Sequence, residues 1–394
     1  GSRPALGPQL LAREAQRVMD GTLLARDTPR DLARRFALTA ATHDREGSFP
    51  HENIAALREA GFLSLTVPQG LGGADISLQR AAGIVATIAE GCPATALILS
   101  MQLIQQRGIA RNATIPEPVR ARIVRGALER GELINALRVE PELGTPARGG
   151  LPATTARRTA TGWAITGRKI YSTGSPALDW GLVWARTDED APRTGLFLLP
   201  MRAAGVRIVE TWDQAGLRAS GSHDVLMNDV ALPEDHALDL RAPEAWTERD
   251  SDAVAWNTLL IAALYTGVAR AARDWLIPFL RTRIPANLGQ PLATLPRMQE
   301  AVGRIQALIL TNERLIANAA TEPTTPAELG LIKTVAADNA IAAVQEAVAL
   351  CGNHALARSN PLERHLRDVL CARIHTPQPD AALLAAGRAA LLPI

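Results

Sequence analysis

The chain has 394 residues, 42 basic side chains against 40 acidic ones, and 47% hydrophobic residues. That length is a prior for about two or three domains with real cores, and a formal net charge of +2 is too balanced for the electrostatic footprint of a nucleic-acid binder. Cys92, Cys351 and Cys371 are widely spaced and form no CxxC, so neither a disulfide framework nor a thiolate metal site is suggested, and a cytoplasmic location is expected.

In chain order, helical spacing opens at Thr28 and holds to about Gly131. Asp31–Leu38 carries it first. Pro50–Gly61 then reads as a helix entered through proline and closed by glycine, with two more helices expected around Leu78–Glu90 and Pro118–Arg130. Near Glu132 the period changes from helical to extended. Leu133–Val139, Ala153–Thr161, Trp163–Ile170, Trp180–Arg186, Gly195–Pro200, Val206–Glu210 and His223–Leu232 read as short strands between Gly, Pro, Asn and Asp turns, with Thr161-Gly162 as a hairpin candidate. Asp235–Asp252 reads as a mixed linking segment. From Ala253 onward four amphipathic stretches, 253–283, 292–320, 326–351 and 361–390, predict an antiparallel bundle. The fold class expected is therefore α+β and multidomain. It comprises an N-terminal all-helical domain over 28–131, a central β-sandwich or barrel domain over 132–235, and a C-terminal four-helix bundle over 245–394. The apolar stretch Ala253–Leu264 is interrupted by polar residues and is too short to span a bilayer, so no membrane insertion is expected.

The seven histidines include no HExxH or other tight ligand pair, so no metal is predicted. There is no Gly-x-Ser-x-Gly elbow and no phosphate-binding Gly-x-x-x-x-Gly-Lys loop, and Gly70-Leu71-Gly72-Gly73 does not complete a dinucleotide fingerprint. What remains is a polar, turn-rich pair in the strand region, Glu140–Thr145 and Lys169–Gly174. Exposed amides and hydroxyls at strand ends could hold a heterocycle, with an aromatic ring covering its face; alternatively these are two loops whose hydroxyls cap turns.

The helix, strand and helix order, the Glu140-Pro141 turn, Lys169–Thr173, Gly216–Val225 and Pro361–Asp368 together resemble the acyl-CoA dehydrogenase superfamily of flavoproteins, from about residue 28 to the end. The resemblance implies FAD between the β domain and the bundle, and a homotetramer or homodimer. Leu137, Val139, Gly144 and Thr145 would line the flavin, with Thr145 near the ligand entrance. Tyr171 would pack against the isoalloxazine ring, Thr173 would offer its hydroxyl to flavin N5, and Ser172 is grouped with the cofactor-binding residues. Arg283 resembles the arginine that reaches the FAD pyrophosphate of a neighbouring subunit, although it also reads as a helix C-terminal arginine answering the dipole. Ala349, Gly352 and Asn353 would approach the neighbour's adenylate side. Gln378 is grouped with the cofactor-lining residues.

The departures from the family pattern bear on mechanism. A glutamate is expected eight residues after the aspartate of the Arg-Asp pair, where it would take the proton alpha to a thioester carbonyl; counting from Asp368 reaches Thr376. The alternative position on the first bundle helix reads Ala255-Trp256-Asn257-Thr258 and offers no carboxylate. The resemblance thus implies an FAD-dependent oxidoreductase acting on an acyl-CoA or acyl-carrier thioester by hydride transfer to flavin N5, with an atypical base. His375 is the candidate, and Thr376 stands at the expected position. The acceptor would be an electron-transfer flavoprotein or oxygen. The alternative is a flavin-dependent monooxygenase or oxidase of the same fold, acting on an aromatic, sulfur or nitrogen small molecule; Arg373–Thr376 resembles the first half of that group's Arg-x-His-Thr and His-Asp segment, and Gln378 and Pro379 replace the second half.

Overall fold

The computed structural model describes residues 28–142, 150–246 and 250–392. Apolar spacing builds the first region. Helix α1 (Thr28–Glu46) buries Leu32, Ala33, Phe36 and Ala40 along one stripe, and α2 (His51–Glu59) follows Pro50. Helix α3 (Leu78–Gly91) is capped by the Ser77 hydroxyl, which accepts from the Arg80 amide. Helix α4 (Pro93–Arg111) was not anticipated. Its first turns bury every residue from Pro93 to Ser100, so that half has no polar face whose period could reveal it. Helix α5 (Glu117–Arg130) ends at Gly131, whose φ of 60° is the left-handed conformation of a helix C-terminal glycine.

Among the described residues eight strands form one mixed sheet: β1 (Ile134–Leu137), β2 (Thr155–Thr159), β3 (Gly162–Ser172), β4 (Trp180–Thr187), β5 (Thr194–Pro200), β6 (Val206–Val209), β7 (His223–Pro233) and β8 (Ala237–Arg241). The order is β6-β7-β3-β2-β4-β5-β8, and β1 lies parallel to β4 off that path. The hairpin between β2 and β3 pairs Thr159 with Gly162, so its turn is Ala160-Thr161, one residue earlier than the sequence suggests. Strand β8 lies in the stretch read as a linker, and its pairing of Leu240 with Gly195 extends the sheet to Arg241, beyond the expected boundary at 235.

The C-terminal region consists of α6 (Ser251–Thr282), α7 (Pro296–Ala319), α8 (Pro326–Cys351), the short α9 (Asn353–Leu356), α10 (Leu362–Leu370) and α11 (Pro379–Leu391). The fourth expected bundle helix is thus divided. Pro377 and Pro379 cannot continue a helix, and the chain between α10 and α11 carries His375 and Thr376. Helix α6 is long and apolar enough to cross a membrane, unlike the shorter run read from the sequence, but 72% of its apolar window is buried within the protein. One continuous core links the regions, from Phe36 through Leu97 and Val183 to Tyr265 and Leu362.

Candidate active site

On the sheet side, β3 loses register with β7 between Lys169 and Ser172. The irregularity turns Tyr171 to a φ of 55°; the residue is 55% exposed, and its ring stands edge-on to Trp212 at 6.1 Å. Ser172 is buried and its hydroxyl has no hydrogen-bond partner among the described residues. Thr173 shares a hydrogen bond with Ser222 (3.0 Å), which is joined in turn to Ser220 (2.7 Å), and the Thr173 carbonyl accepts from the Asn135 amide (3.1 Å). Trp212 is held by its own amide donating to Nδ1 of His223 (3.1 Å), an imidazole whose pKa burial lowers.

A buried ion pair anchors this edge. Lys169 donates to Glu140 (2.6 Å) and to the Trp184 carbonyl (2.5 Å), while Glu140 also accepts from the amides of Ala153 and Thr154 and from the Thr154 hydroxyl. Burial pushes Lys169 down to about 8, and its donors hold Glu140 below the usual carboxylate range. The Val139 carbonyl accepts from the Ile170 amide (2.9 Å), so this strand end is tied to the segment preceding Tyr171. Leu137, expected to line a cofactor, is buried in the shared hydrophobic core, and Val139 is half-buried. Gly144 and Thr145 lie outside the described residues.

On the bundle side, Nδ1 of His375 lies 2.7 Å from the Tyr265 hydroxyl of α6. Lys333 of α8, fully buried, donates to the carbonyls of Ala372 (2.6 Å) and His375 (2.5 Å). Burial, with the nearby Lys333 ammonium, pushes His375 down to about 4, and burial brings Lys333 to about 8. The Thr376 carbonyl accepts from the Asn257 side-chain amide (3.2 Å), and Gln378 donates to the Ile374 carbonyl (3.3 Å). Both positions where a catalytic carboxylate was sought, 376 and the start of α6, therefore meet in space, and they meet as a threonine and an asparagine.

Asp368 and Arg367 join the two sides. Asp368 accepts from the Leu217 amide (2.7 Å), and burial raises its carboxyl to about 6. Arg367 reaches Asp44 of α1 with both terminal nitrogens (2.9 and 2.6 Å) and also donates to the Ala215 carbonyl (2.7 Å). Gly216 is required by this approach, since a Cβ there would sit 2.4 Å from the Arg367 carbonyl.

The remaining sequence candidates gather elsewhere. Arg283 follows the last residue of α6, 26 positions beyond Asn257, which at 1.5 Å per residue is about 39 Å along the axis. Ala349, Gly352 and Asn353 are exposed at the end of α8, where His354 meets Phe279 of α6 at 5.3 Å. They share the end of the bundle remote from His375. Sequence reasoning missed Asn135, Ser220, Ser222, Tyr265 and Lys333. One signal was present: Lys169 and Lys333 are the only lysines in the chain, and each occupies a fully buried position whose acceptors suit a compact ammonium better than a planar guanidinium. No cluster of three or more potential metal ligands occurs among the described residues.

Helices, sheet and bundle in this arrangement describe an acyl-CoA dehydrogenase-like flavoenzyme. The chain belongs to the acyl-CoA dehydrogenase family: residues 20–116, 139–230 and 259–378 match its N-terminal, middle and C-terminal domains. It is 35% identical over 90% of its length to the putative acyl-CoA dehydrogenase YdbM of Bacillus subtilis, covering 92% of that protein. It is 29% identical over 90% of its length to the amino sugar nitrososynthase RubN8 of Streptomyces rubradiris, covering 85% of it. Among solved structures it superposes on KijD3 bound to FMN and an amino-keto sugar nucleotide with a TM-score of 0.79 and 27% identity, covering 96% of this chain and 94% of that one.

Proposed function

We propose that this flavoenzyme oxygenates a small nitrogen-, sulfur- or aromatic-bearing substrate with reduced flavin and oxygen, and does not draw an α-proton from an acyl thioester. The observation that carries the reading is the meeting of Thr376 with Asn257, since neither a hydroxyl nor an amide is a base near neutral pH. His375 beside them is a weak base, with its Nδ1 taken up by Tyr265. The nitrososynthase and the sugar-nucleotide complex of KijD3 are relatives consistent with this chemistry.

The sheet edge suits a flavin: an exposed tyrosine ring, the Thr173 hydroxyl, and the otherwise unexplained buried hydroxyl of Ser172. Bound there, a flavin supplies the electron transfer that no side chain of the site provides. The chain's own part is to hold Tyr171 and Thr173 through the Lys169–Glu140 pair and to present His375 against Tyr265. FAD is preferred to FMN because Arg283 resembles the family's arginine that reaches the FAD pyrophosphate of a neighbouring subunit. At about 39 Å from Asn257 it lies beyond an extended FAD bound in the same protomer, so it would serve a second copy. Leu383, Leu384 and Leu391 on α11, each at least 55% exposed, are apolar surface fit for such an assembly.

The second reading, acyl-CoA dehydrogenation, is supported by the likeness to YdbM and by 27% identity over 88% of the chain to human short-chain acyl-CoA dehydrogenase. Anaerobic mixing of the flavin-loaded protein with a panel of acyl-CoA thioesters separates the two. No bleaching, together with oxygen uptake stimulated by an amine, sulfide or aromatic once the flavin is chemically reduced, is the expected result; rapid bleaching by any thioester overturns it.

A further inference from the structure

The contact between Tyr265 and His375 determines more than a position. Tyr265 is almost fully buried, and burial pushes its phenol well above its ordinary value, so the hydroxyl keeps its proton. Its only hydrogen bond among the described residues is the one to Nδ1 of His375. A neutral imidazole carries a proton on one nitrogen and a lone pair on the other. If Nδ1 held the proton and donated to the phenol oxygen, the phenol proton would be buried with no acceptor, at the full desolvation cost of that group. If the phenol donates instead, the buried phenol proton and the Nδ1 lone pair are both satisfied and the imidazole proton stands on Nε2. That nitrogen has no protein partner among the described residues, yet it is not enclosed as Nδ1 of His365 is, and so it is available to a bound molecule.

Lys333 closes the arrangement from α8. Its ammonium spans the carbonyls of Ala372 and His375, fixing the turn that carries the imidazole. The groups around the ring set its charge in the same direction. From α8 comes the Lys333 cation; from α6 come the uncharged Tyr265 and Asn257; from α10 the Asp368 carboxyl is committed to the Leu217 amide; Arg373 in the same turn faces Asp338. No carboxylate bonds His375 among the described residues, so the imidazolium has no bonded counter-charge there.

We propose that Tyr265 and Lys333 are positioning residues that hold His375 as a neutral Nε2–H hydrogen-bond donor toward an oxygen or nitrogen atom of the substrate complex, and not as a base. The assignment rests on the reading of the His375 turn as part of the site, and it is tested on the protein itself. In the flavin-loaded enzyme with ¹⁵N-labelled histidine, the His375 signals are identified by their loss in His375→Gln. At pH 7 the expected spectrum shows Nδ1 unprotonated and Nε2 protonated. Tyr265→Phe, which removes only the donor, is expected to convert this to a mixture of tautomers and to lower kcat at least tenfold with KM little changed. Lys333→Met is expected to raise the His375 titration midpoint, with partial return in Lys333→Arg. A protonated Nδ1 in the wild-type protein, or a tautomer unchanged in Tyr265→Phe, overturns the proposal. Should Tyr265→Phe fail to fold, the wild-type spectrum alone decides. Bleaching by a thioester alongside the expected tautomer would sink the oxygenase reading and leave this assignment standing.

Discussion

At the residue scale, two buried charges carry measurable weight. Glu140→Gln leaves the Lys169 ammonium without its counter-charge in a fully buried site, and removal of one partner from such a pair costs about 3–5 kcal/mol. The expected outcome is a matching fall in unfolding free energy by urea titration. His365 makes a different prediction. Burial, with help from Arg364, pushes its imidazole down to about 3, whereas the unfolded chain titrates near 6.5. Between those values the unfolded state binds more protons, so this group's contribution is complete above pH 6.5 and is lost as pH falls toward 3. The stability of the wild-type protein relative to His365→Gln is therefore expected to decline steadily on acidification below pH 6.5. A pH-independent difference between the two unfolding curves would contradict it.

At the scale of elements, the approach of α3 to α6 depends on one missing methyl group. A Cβ at Gly267 would lie 2.2 Å from the Ala86 carbonyl, closer than two helices can tolerate. Gly267→Ala is expected to lower stability by about 1–3 kcal/mol through overpacking. Gly303→Ala on the open face of α7, where a Cβ meets nothing within 4 Å, is expected to raise stability by up to about 1 kcal/mol through helix propensity alone. Thermal melts of the two variants should move in opposite directions. The elements themselves were legible in the sequence to different degrees. Helices with a wet face announced themselves, as did strands bounded by turns. Helix α4 did not, because near-complete burial removes the periodic signal, and β8 was too short and too close to proline to separate from a linker. The division of α10 from α11 was foreshadowed by Pro377 and Pro379, although the amphipathic pattern runs across the break.

At the scale of the molecule, Asp44, Arg367 and the turn Ala215–Leu217 pin all three regions at one point. Asp44→Ala removes two charge-assisted hydrogen bonds and is expected to cost about 2–3 kcal/mol, with the loss seen equally by probes of the sheet and of the bundle because the core is continuous. For the proposed assembly, light scattering returns at least twice 42.0 kDa, and Leu384→Glu on α11 reduces that mass together with FAD affinity. A monomeric mass at micromolar concentration would remove Arg283 from the cofactor argument.

Composition, periodicity and punctuation determined by themselves that this chain is helical, then extended, then helical, and the motif resemblance located Tyr171, Thr173 and His375 within that order. Those signals are local, carried by residues a few positions apart. The partners that give the candidates their chemistry come from far along the chain: Tyr265 lies 110 residues from His375, Lys333 lies 42 from it, and Ser222 lies 49 from Thr173. Protonation and hydrogen-bond direction follow from burial and from which donor arrives, and neither is defined until distant elements pack. Only the tertiary structure could show that the histidine proposed as a base has its Nδ1 occupied by a tyrosine.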